Sequence, residues 1–156
     1  MIVRRLPLLL LAGALALAFA DAPAAASDES DVMATVNQFI NGFNKGDVKS
    51  MVATCASPVS VIDDFPPHAW QGATACSDWW VAFQADAKNQ GITAAVVTLK
   101  KPLHDEVSMD RAYVVVPALY AYKDHGKPAT QPGIMTLALK KSAGGWRITG
   151  WAWANQ

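Results

Sequence analysis

The residues best suited to chemistry lie in one short stretch, SVIDDFPPHAWQGATACSDWW, between Ser60 and Trp80. Two adjacent carboxylates, Asp63 and Asp64, follow a β-branched run, and His68 lies five residues beyond the first of them. Carboxylates and imidazoles are common proton-transfer groups in enzymes. The neighbouring aromatic side chains would enclose a mostly apolar pocket. The stretch therefore predicts a site that binds an apolar molecule or moves a proton.

Asp63 is the candidate general base, and His68 is the candidate that assists it. A carboxylate in an aromatic cavity has its pKa raised by desolvation, which suits a base working near neutral pH. A structural interpretation stands beside this one. The two acids would end a strand before Pro66 and Pro67 and accept backbone N–H bonds, and His68 would be a loop residue.

Aromatic and acidic side chains elsewhere in the chain are candidates for contacting a ligand. We expect ligand contacts from Phe39, Asp64, Trp70, Trp80, Tyr120 and Trp153. No group of His and Cys residues has the spacing of a metal site, so the sequence predicts neither a metal nor another cofactor.

Three helices are predicted in the first part of the chain, where they would carry these residues. Apolar positions repeat at helical spacing over residues 31–44, and Gly46 ends this helix. A short helix is predicted over residues 47–55. The third helix begins after Thr74 as its cap and ends before Gly91.

The chain after Gly91 has the composition of strands. β-Branched and aromatic residues dominate, and HGKP and SAGG are typical turn sequences. We expect strands over residues 92–101, 107–109, 111–123, 133–141 and 146–153. Helices followed by an antiparallel meander predict an α+β fold in which three N-terminal helices pack on a strongly curved sheet.

The predicted strand over residues 111–123 is apolar on both faces. Val114 and Tyr120 point to one side, and Val115 and Leu119 to the other. In an antiparallel sheet with one solvent-exposed face, apolar and polar residues alternate along each strand. Because this strand is apolar on both faces, something must also cover the face away from the helices. We expect a homodimer formed through this outer face of the sheet.

The last strand allows two arrangements of its tryptophans. Strict alternation places Trp151 and Trp153 on the same face as Arg147, opposite Trp146. A bulge at Gly150 would reverse this assignment and bring both indoles into the pocket. The sequence leaves both arrangements open.

The first 26 residues have the pattern of a secretory signal peptide. Arg4 and Arg5 precede an apolar run that reaches Phe19, and small residues follow up to Ala26. The run is shorter than the roughly 20 residues needed to span a bilayer. We expect cleavage after Ala26, or otherwise after Ala20. Residues 27–156 would then form a single domain without a membrane anchor, in the periplasm or outside the cell.

Charge and cysteine content limit the partners and the covalent structure. The chain has 13 basic and 13 acidic side chains, so its formal net charge is zero and nothing attracts nucleic acid electrostatically. Cys55 and Cys76 lie on predicted apolar helical stripes, in a chain expected where disulfides form. They either pair or remain two small buried thiols.

The order of these features is that of a known superfamily. The first helix ends in FNKGD, a strand ends in aspartate, a glycine precedes a tryptophan-bearing helix, and the meander closes with GGWRITGWAW. Residues 27–156 thereby resemble the nuclear transport factor 2-like superfamily, particularly its SnoaL-like and ketosteroid isomerase-like branches. The resemblance implies a cone in which a bent antiparallel sheet wraps around helices and leaves a pocket at the wide end.

The resemblance also implies a role for one residue and excludes one reaction. Ketosteroid isomerases place their general base sixteen residues beyond the position of Asp47, which is Asp63 in this chain. Phe39 stands where their phenol donor is expected, and residues 135–137 stand where their acidic donor is expected. These donors stabilise the developing enolate, so steroid isomerisation by that mechanism is not expected.

Three functions remain as hypotheses. The first is an exported pocket protein that binds a small apolar or aromatic molecule. The second is a cofactor-free isomerase, dehydratase or hydrolase that uses Asp63 as its base, assisted by His68. The third is a dimerisation module whose cone is filled by its own side chains, which an open space well below roughly 300 Å³ would favour.

Overall fold

The computed structural model describes residues 27–156, and the predicted signal peptide lies outside them. Helices and strands are interleaved in the first half of this region. Along the chain the elements are α1 (Asp28–Lys45), α2 (Val48–Val52), β1 (Cys55–Ile62), β2 (Ala69–Gly72), α3 (Ala75–Asn89), β3 (Ile92–Leu99), β4 (His104–Ser108), β5 (Arg111–Asp124), β6 (Lys127–Ser142) and β7 (Gly145–Asn155).

The ends of α1 follow from local capping. The hydroxyl oxygen of Ser27 accepts a hydrogen bond from the backbone N–H of Ser30 at 3.3 Å, so the helix begins three residues before the predicted start. Gly46 ends it in the left-handed conformation with φ 66°, where glycine has no Cβ penalty. The predicted first helix is confirmed with these extended bounds.

The sheet contains seven strands in the order β2-β1-β7-β6-β5-β3, with β4 also paired to β5. The neighbours are antiparallel except β1 and β7, which are parallel. The α+β fold with helices on a curved, mainly antiparallel sheet is confirmed. The parallel pair was not expected.

Two of the seven strands precede α3: β1 is the predicted strand that ends at the aspartates, and β2 was not predicted. The predicted helix over residues 47–55 is too long, since α2 ends at Val52. The hydroxyl of Thr54 then donates to the carbonyl oxygen of Met51 at 2.6 Å, and the chain leaves the helix to pair with β7. Sheet pairing, which is remote in sequence, decides this boundary.

β5 accommodates a proline because its partner changes there. Residues 118–124 pair with β3 and residues 111–115 pair with β4, so Pro117 lies between the two partners on this side. A proline has no N–H to donate, but the carbonyl oxygen of Pro117 still accepts from the backbone N–H of Lys100 at 2.8 Å. Strand pairing therefore continues past a residue that usually interrupts it.

The core lies between the helices and one face of the sheet. On α1, Val32, Val36 and Phe39 are at most 2% exposed, and on β5 Val114 and Val116 are fully buried. The alternate residues of β5 face the other side of the sheet and are partly exposed or exposed. The two predicted faces of this strand are therefore unequal, because the helices cover one of them.

A disulfide joins Cys55 to Cys76. It links the start of β1 to the first turn of α3, so Cys55 belongs to a strand rather than to the predicted helical stripe. The bond closes the segment that carries Asp63 and His68. The unfolded chain loses conformational freedom in this segment, which favours the folded state.

Within residues 27–156, no helix is long and apolar enough to cross a membrane.

Candidate functional site

A small cavity of about 80 Å³ lies between the helices and the concave face of the sheet. Its lining is aromatic and aliphatic apart from two carboxyl groups, a phenol and an amide. Pockets that enclose drug-sized ligands typically have volumes of about 300 Å³ or more. The volume is well below this value, which favours the hypothesis of a cone filled largely by its own side chains. The cavity would enclose only a small molecule or one end of a larger one. The lining residues are Ile40, Phe43, Asp63, Asp64, Phe65, Trp79, Phe83, Val97, Tyr120, Gln131, Met135, Trp151 and Trp153.

Asp63 is the most buried acid of the site. It follows the last residue of β1 and is only 9% exposed. Its Oδ2 accepts a hydrogen bond from Nε1 of Trp79 on α3 at 2.7 Å, and its Oδ1 accepts one from the backbone N–H of Asp64 at 2.8 Å. No basic side chain among residues 27–156 forms an ion pair with this carboxyl group.

Burial raises the pKa of Asp63 from 3.8 to about 7. The hydrogen bonds from the Asp64 backbone and from Trp79 favour the carboxylate and oppose this rise, and the charge of Asp64 adds to it. Because no cation compensates for the lost hydration, burial dominates. Asp63 therefore exchanges between its acid and carboxylate forms near neutral pH, as a proton-transfer group requires.

His68 does not join Asp63 at the cavity. It is exposed, and its Nδ1 lies 3.3 Å from the backbone carbonyl oxygen of Asp63 rather than near the carboxyl group. Its own carbonyl oxygen accepts from the backbone N–H of Asp63 at 3.1 Å. The predicted Asp/His pair is therefore not formed, and the contacts of His68 hold the turn after β1.

The predicted ligand contacts divide into two groups. Asp64, Tyr120 and Trp153 line the cavity. Phe39, Trp70 and Trp80 do not, because each is packed behind a lining ring. The ring centroids lie 5.6 Å apart for Phe39 and Trp151, 5.1 Å for Trp70 and Phe65, and 5.7 Å for Trp80 and Phe43.

A bulge in β7 allows Trp151 and Trp153 to line the cavity. Leu139 of β6 pairs with Ile148, but the preceding residue, Ala138, pairs with Gly150, so Thr149 is an extra residue in β7. The alternation reverses there, and both Trp146 and Trp151 are buried. The alternative that Gly150 suggested in the sequence is therefore the one observed. Trp79 and Trp151 were not among the predicted ligand contacts.

The rim of the cavity is held by side chains from distant parts of the chain. Nε1 of Trp153 donates to Oδ1 of Asn155 at 2.8 Å, and Nδ2 of Asn155 donates to Oδ2 of Asp64. Gly133 lies against the indole, since a Cβ at this position would be 2.2 Å from Cζ2 of Trp153. Trp153 can occupy this position only because residue 133 is a glycine. The shape of the opening therefore depends on Gly133.

Within the described residues there is no group of three or more His, Cys, Asp or Glu side chains that could hold a metal ion.

The fold and cavity define a protein of the nuclear transport factor 2-like class, and comparisons with known proteins give the family. Residues 32–152 match the family model of the SnoaL-like domain. The match covers most of the chain, which therefore belongs to the SnoaL-like family. No curated protein matches the chain in sequence.

Solved structures share the fold at low sequence identity. A putative dehydratase of the NTF2-like family from Streptomyces avermitilis has a TM-score of 0.68 and 15% identity, over 83% of this chain and 96% of that one. An NTF2-like superfamily protein from Salmonella enterica has a TM-score of 0.68 and 16% identity, over 82% and 90%. The S. rosetta CaMKII hub has a TM-score of 0.68 and 16% identity, over 85% and 99%.

The raised pKa of Asp63 predicts that stability falls as pH rises. The unfolded chain releases this proton near pH 4, whereas the folded protein retains it up to about pH 7. Between these values the folded state binds more protons than the unfolded state. The free energy of unfolding therefore falls as the pH rises from about 4 to about 8. Because the two pKa values differ by about 3 and one pKa unit corresponds to about 1.4 kcal/mol, we expect a loss of about 4 kcal/mol relative to Asp63→Asn.

Urea unfolding of both proteins between pH 4 and pH 8 measures this difference. Asp105→Asn makes the same chemical change at an exposed position on β4 and serves as the control. Equal pH dependence in the wild type and Asp63→Asn would contradict a raised pKa.

Proposed function

We propose that this protein binds a small, mostly apolar molecule, or one apolar end of a larger molecule, in the cavity beside Asp63. The observation that carries the proposal is one buried carboxyl group in a cavity otherwise lined mainly by aromatic and aliphatic side chains. Burial of apolar ligand surface would supply most of the affinity, and the few polar groups would fix the orientation. The small volume limits the enclosed part of the ligand to a short chain or one edge of a ring, because a cavity that encloses benzene has about 150 Å³.

A second candidate function is cofactor-free proton transfer with Asp63 as the base. The pKa of Asp63, raised to about 7 by burial, favours it because the carboxylate would accept a proton readily at neutral pH. One of the structural neighbours is titled a putative dehydratase of the NTF2-like family. His68 would not assist by direct contact, since its ring faces the backbone of the turn.

We also propose that two copies associate through the outer face of the sheet. Three residues of β5 are only partly buried on this face, namely Val115, Pro117 and Leu119. Ile62 on β1 is 56% exposed and Val96 on β3 is 41% exposed. This surface crosses several strands and has few charges, as a self-complementary interface requires. Two structural neighbours are the S. rosetta CaMKII hub and a putative calcium/calmodulin-dependent protein kinase type II association domain from Thiobacillus denitrificans.

The binding proposal predicts that filling the cavity abolishes binding. Toluene is a suitable probe, and its binding is measured by chemical-shift changes in an NMR titration. Val97 lines the cavity and is 9% exposed, so Val97→Phe places a ring in the ligand space and should weaken binding at least about tenfold. Val81→Phe, at a position 65% exposed on α3, is the matched control and should bind normally. Lack of toluene binding by the wild type would argue against the proposal.

The proton-transfer candidate predicts deuterium incorporation from D2O into the carbons next to the carbonyl of cyclohexanone. The Asp63 carboxylate would take a proton from carbon while the electron pair moves to the carbonyl oxygen, and a solvent-exchanged deuteron would return to carbon. The rate should rise with pH through about 7, as the carboxylate forms, and should be lost in Asp63→Asn. Incorporation no faster than in buffer would remove this candidate.

The dimer predicts a mass of two chains in light scattering, with dissociation on dilution. Val115→Lys should shift the protein to the monomer, because a desolvated charge would lie at the centre of the interface. Val81→Lys makes the same change on the exposed surface of α3 and should leave the dimer intact. A wild-type mass of one chain at every concentration would contradict the proposed interface.

A further inference from the structure

Three carboxyl oxygens at the cavity each accept one hydrogen bond from the protein. Both carboxyl oxygens of Asp63 accept hydrogen bonds, from the Trp79 indole and from the Asp64 backbone. Oδ2 of Asp64 accepts from the side chain of Asn155 at the rim. These three oxygens therefore already have partners within the protein.

Two donors in residues that line the same cavity have no partner. The hydroxyl group of Tyr120 and Nε1 of Trp151 are buried and form no hydrogen bond. Trp151 is only 5% exposed. An unpaired buried donor is costly, and such groups are rare in folded proteins. Two residues at the cavity therefore carry a donor that lacks a partner within the protein.

Tyr120 is held in position and remains a donor over the physiological pH range. Its ring stacks on that of Tyr122, with centroids 4.8 Å apart. Burial, together with the charges of Tyr122, Asp64 and Asp63, raises the pKa of its hydroxyl to about 12. The phenol therefore stays protonated. Tyr120 on β5 pairs with Gln131 on the neighbouring strand β6, and Gln131 also lines the cavity.

We propose that the ligand carries a hydrogen-bond acceptor, such as a ketone, ester or ether oxygen, which accepts from the Tyr120 hydroxyl. This inference rests on the proposed binding function and specifies its ligand class. The apolar part of the ligand contacts the aromatic lining, and the acceptor oxygen accepts a hydrogen bond from the unpaired hydroxyl. A ligand without a polar atom would leave the hydroxyl unpaired.

A matched pair of ligands tests the proposal. Cyclohexanone and methylenecyclohexane have nearly the same shape, but only the ketone accepts a strong hydrogen bond. Their dissociation constants are measured by NMR titration for the wild type, Tyr120→Phe and Tyr122→Phe. We expect Tyr120→Phe to weaken cyclohexanone binding roughly tenfold and to leave methylenecyclohexane binding unchanged or tighter, because only the hydroxyl is removed. Tyr122→Phe should affect neither compound.

The stability of the unliganded protein provides a second readout. Tyr120→Phe removes an unpaired buried hydroxyl, so its melting temperature without ligand should equal or exceed that of the wild type. A hydroxyl with a structural partner would give a lower melting temperature, and that result would overturn the proposal. An equal effect of Tyr120→Phe on the two compounds would also overturn it, while leaving the proposed binding function intact. Failure of the wild type to bind either compound would instead reject the binding function on which it rests.

Discussion

The hydrogen bond from the Trp79 indole to the buried carboxyl group of Asp63 is the contact on which the site depends. It joins α3 to the end of β1 inside an apolar layer, where an unpaired carboxylate would be strongly disfavoured. The disulfide between Cys55 and Cys76 joins the start of β1 to the first turn of α3, three residues before Trp79. With both links present, Asp63 remains buried and partnered, and burial raises its pKa toward neutrality.

Aromatic packing has two consequences for the cavity. Trp79 meets Trp151 edge to face, with centroids 4.7 Å apart, and further rings pack behind this pair. The rings reduce the open space to about 80 Å³, which is small for a ligand pocket. They also lower the local polarity, so each polar group left in the lining has a large electrostatic effect. A small, mostly apolar cavity therefore favours selection of ligands by a few hydrogen bonds rather than by extensive contact area.

Much of the fold was predictable because its signals are local. Helical spacing predicted α1 and α3, and β-branched composition predicted β5 and β7 close to their observed bounds. The strand β2 was missed, because a four-residue segment has too little periodicity to be recognised before its pairing with β1 is known. The parallel pairing of β1 with β7 joins the two ends of the domain, and no local pattern reports it.

The sequence by itself determined the class of fold and the position of Asp63 at a strand end. It left two arrangements of the last strand open, and the bulge at Thr149 decided between them. Tertiary structure decided which residues meet. It directed His68 away from the Asp63 carboxyl, placed Trp79 in contact with that carboxyl, and left the hydroxyl of Tyr120 unpaired. The physical reason is that residue type and periodicity reflect local backbone preferences, whereas burial and hydrogen-bond pairing depend on side chains that are distant in sequence.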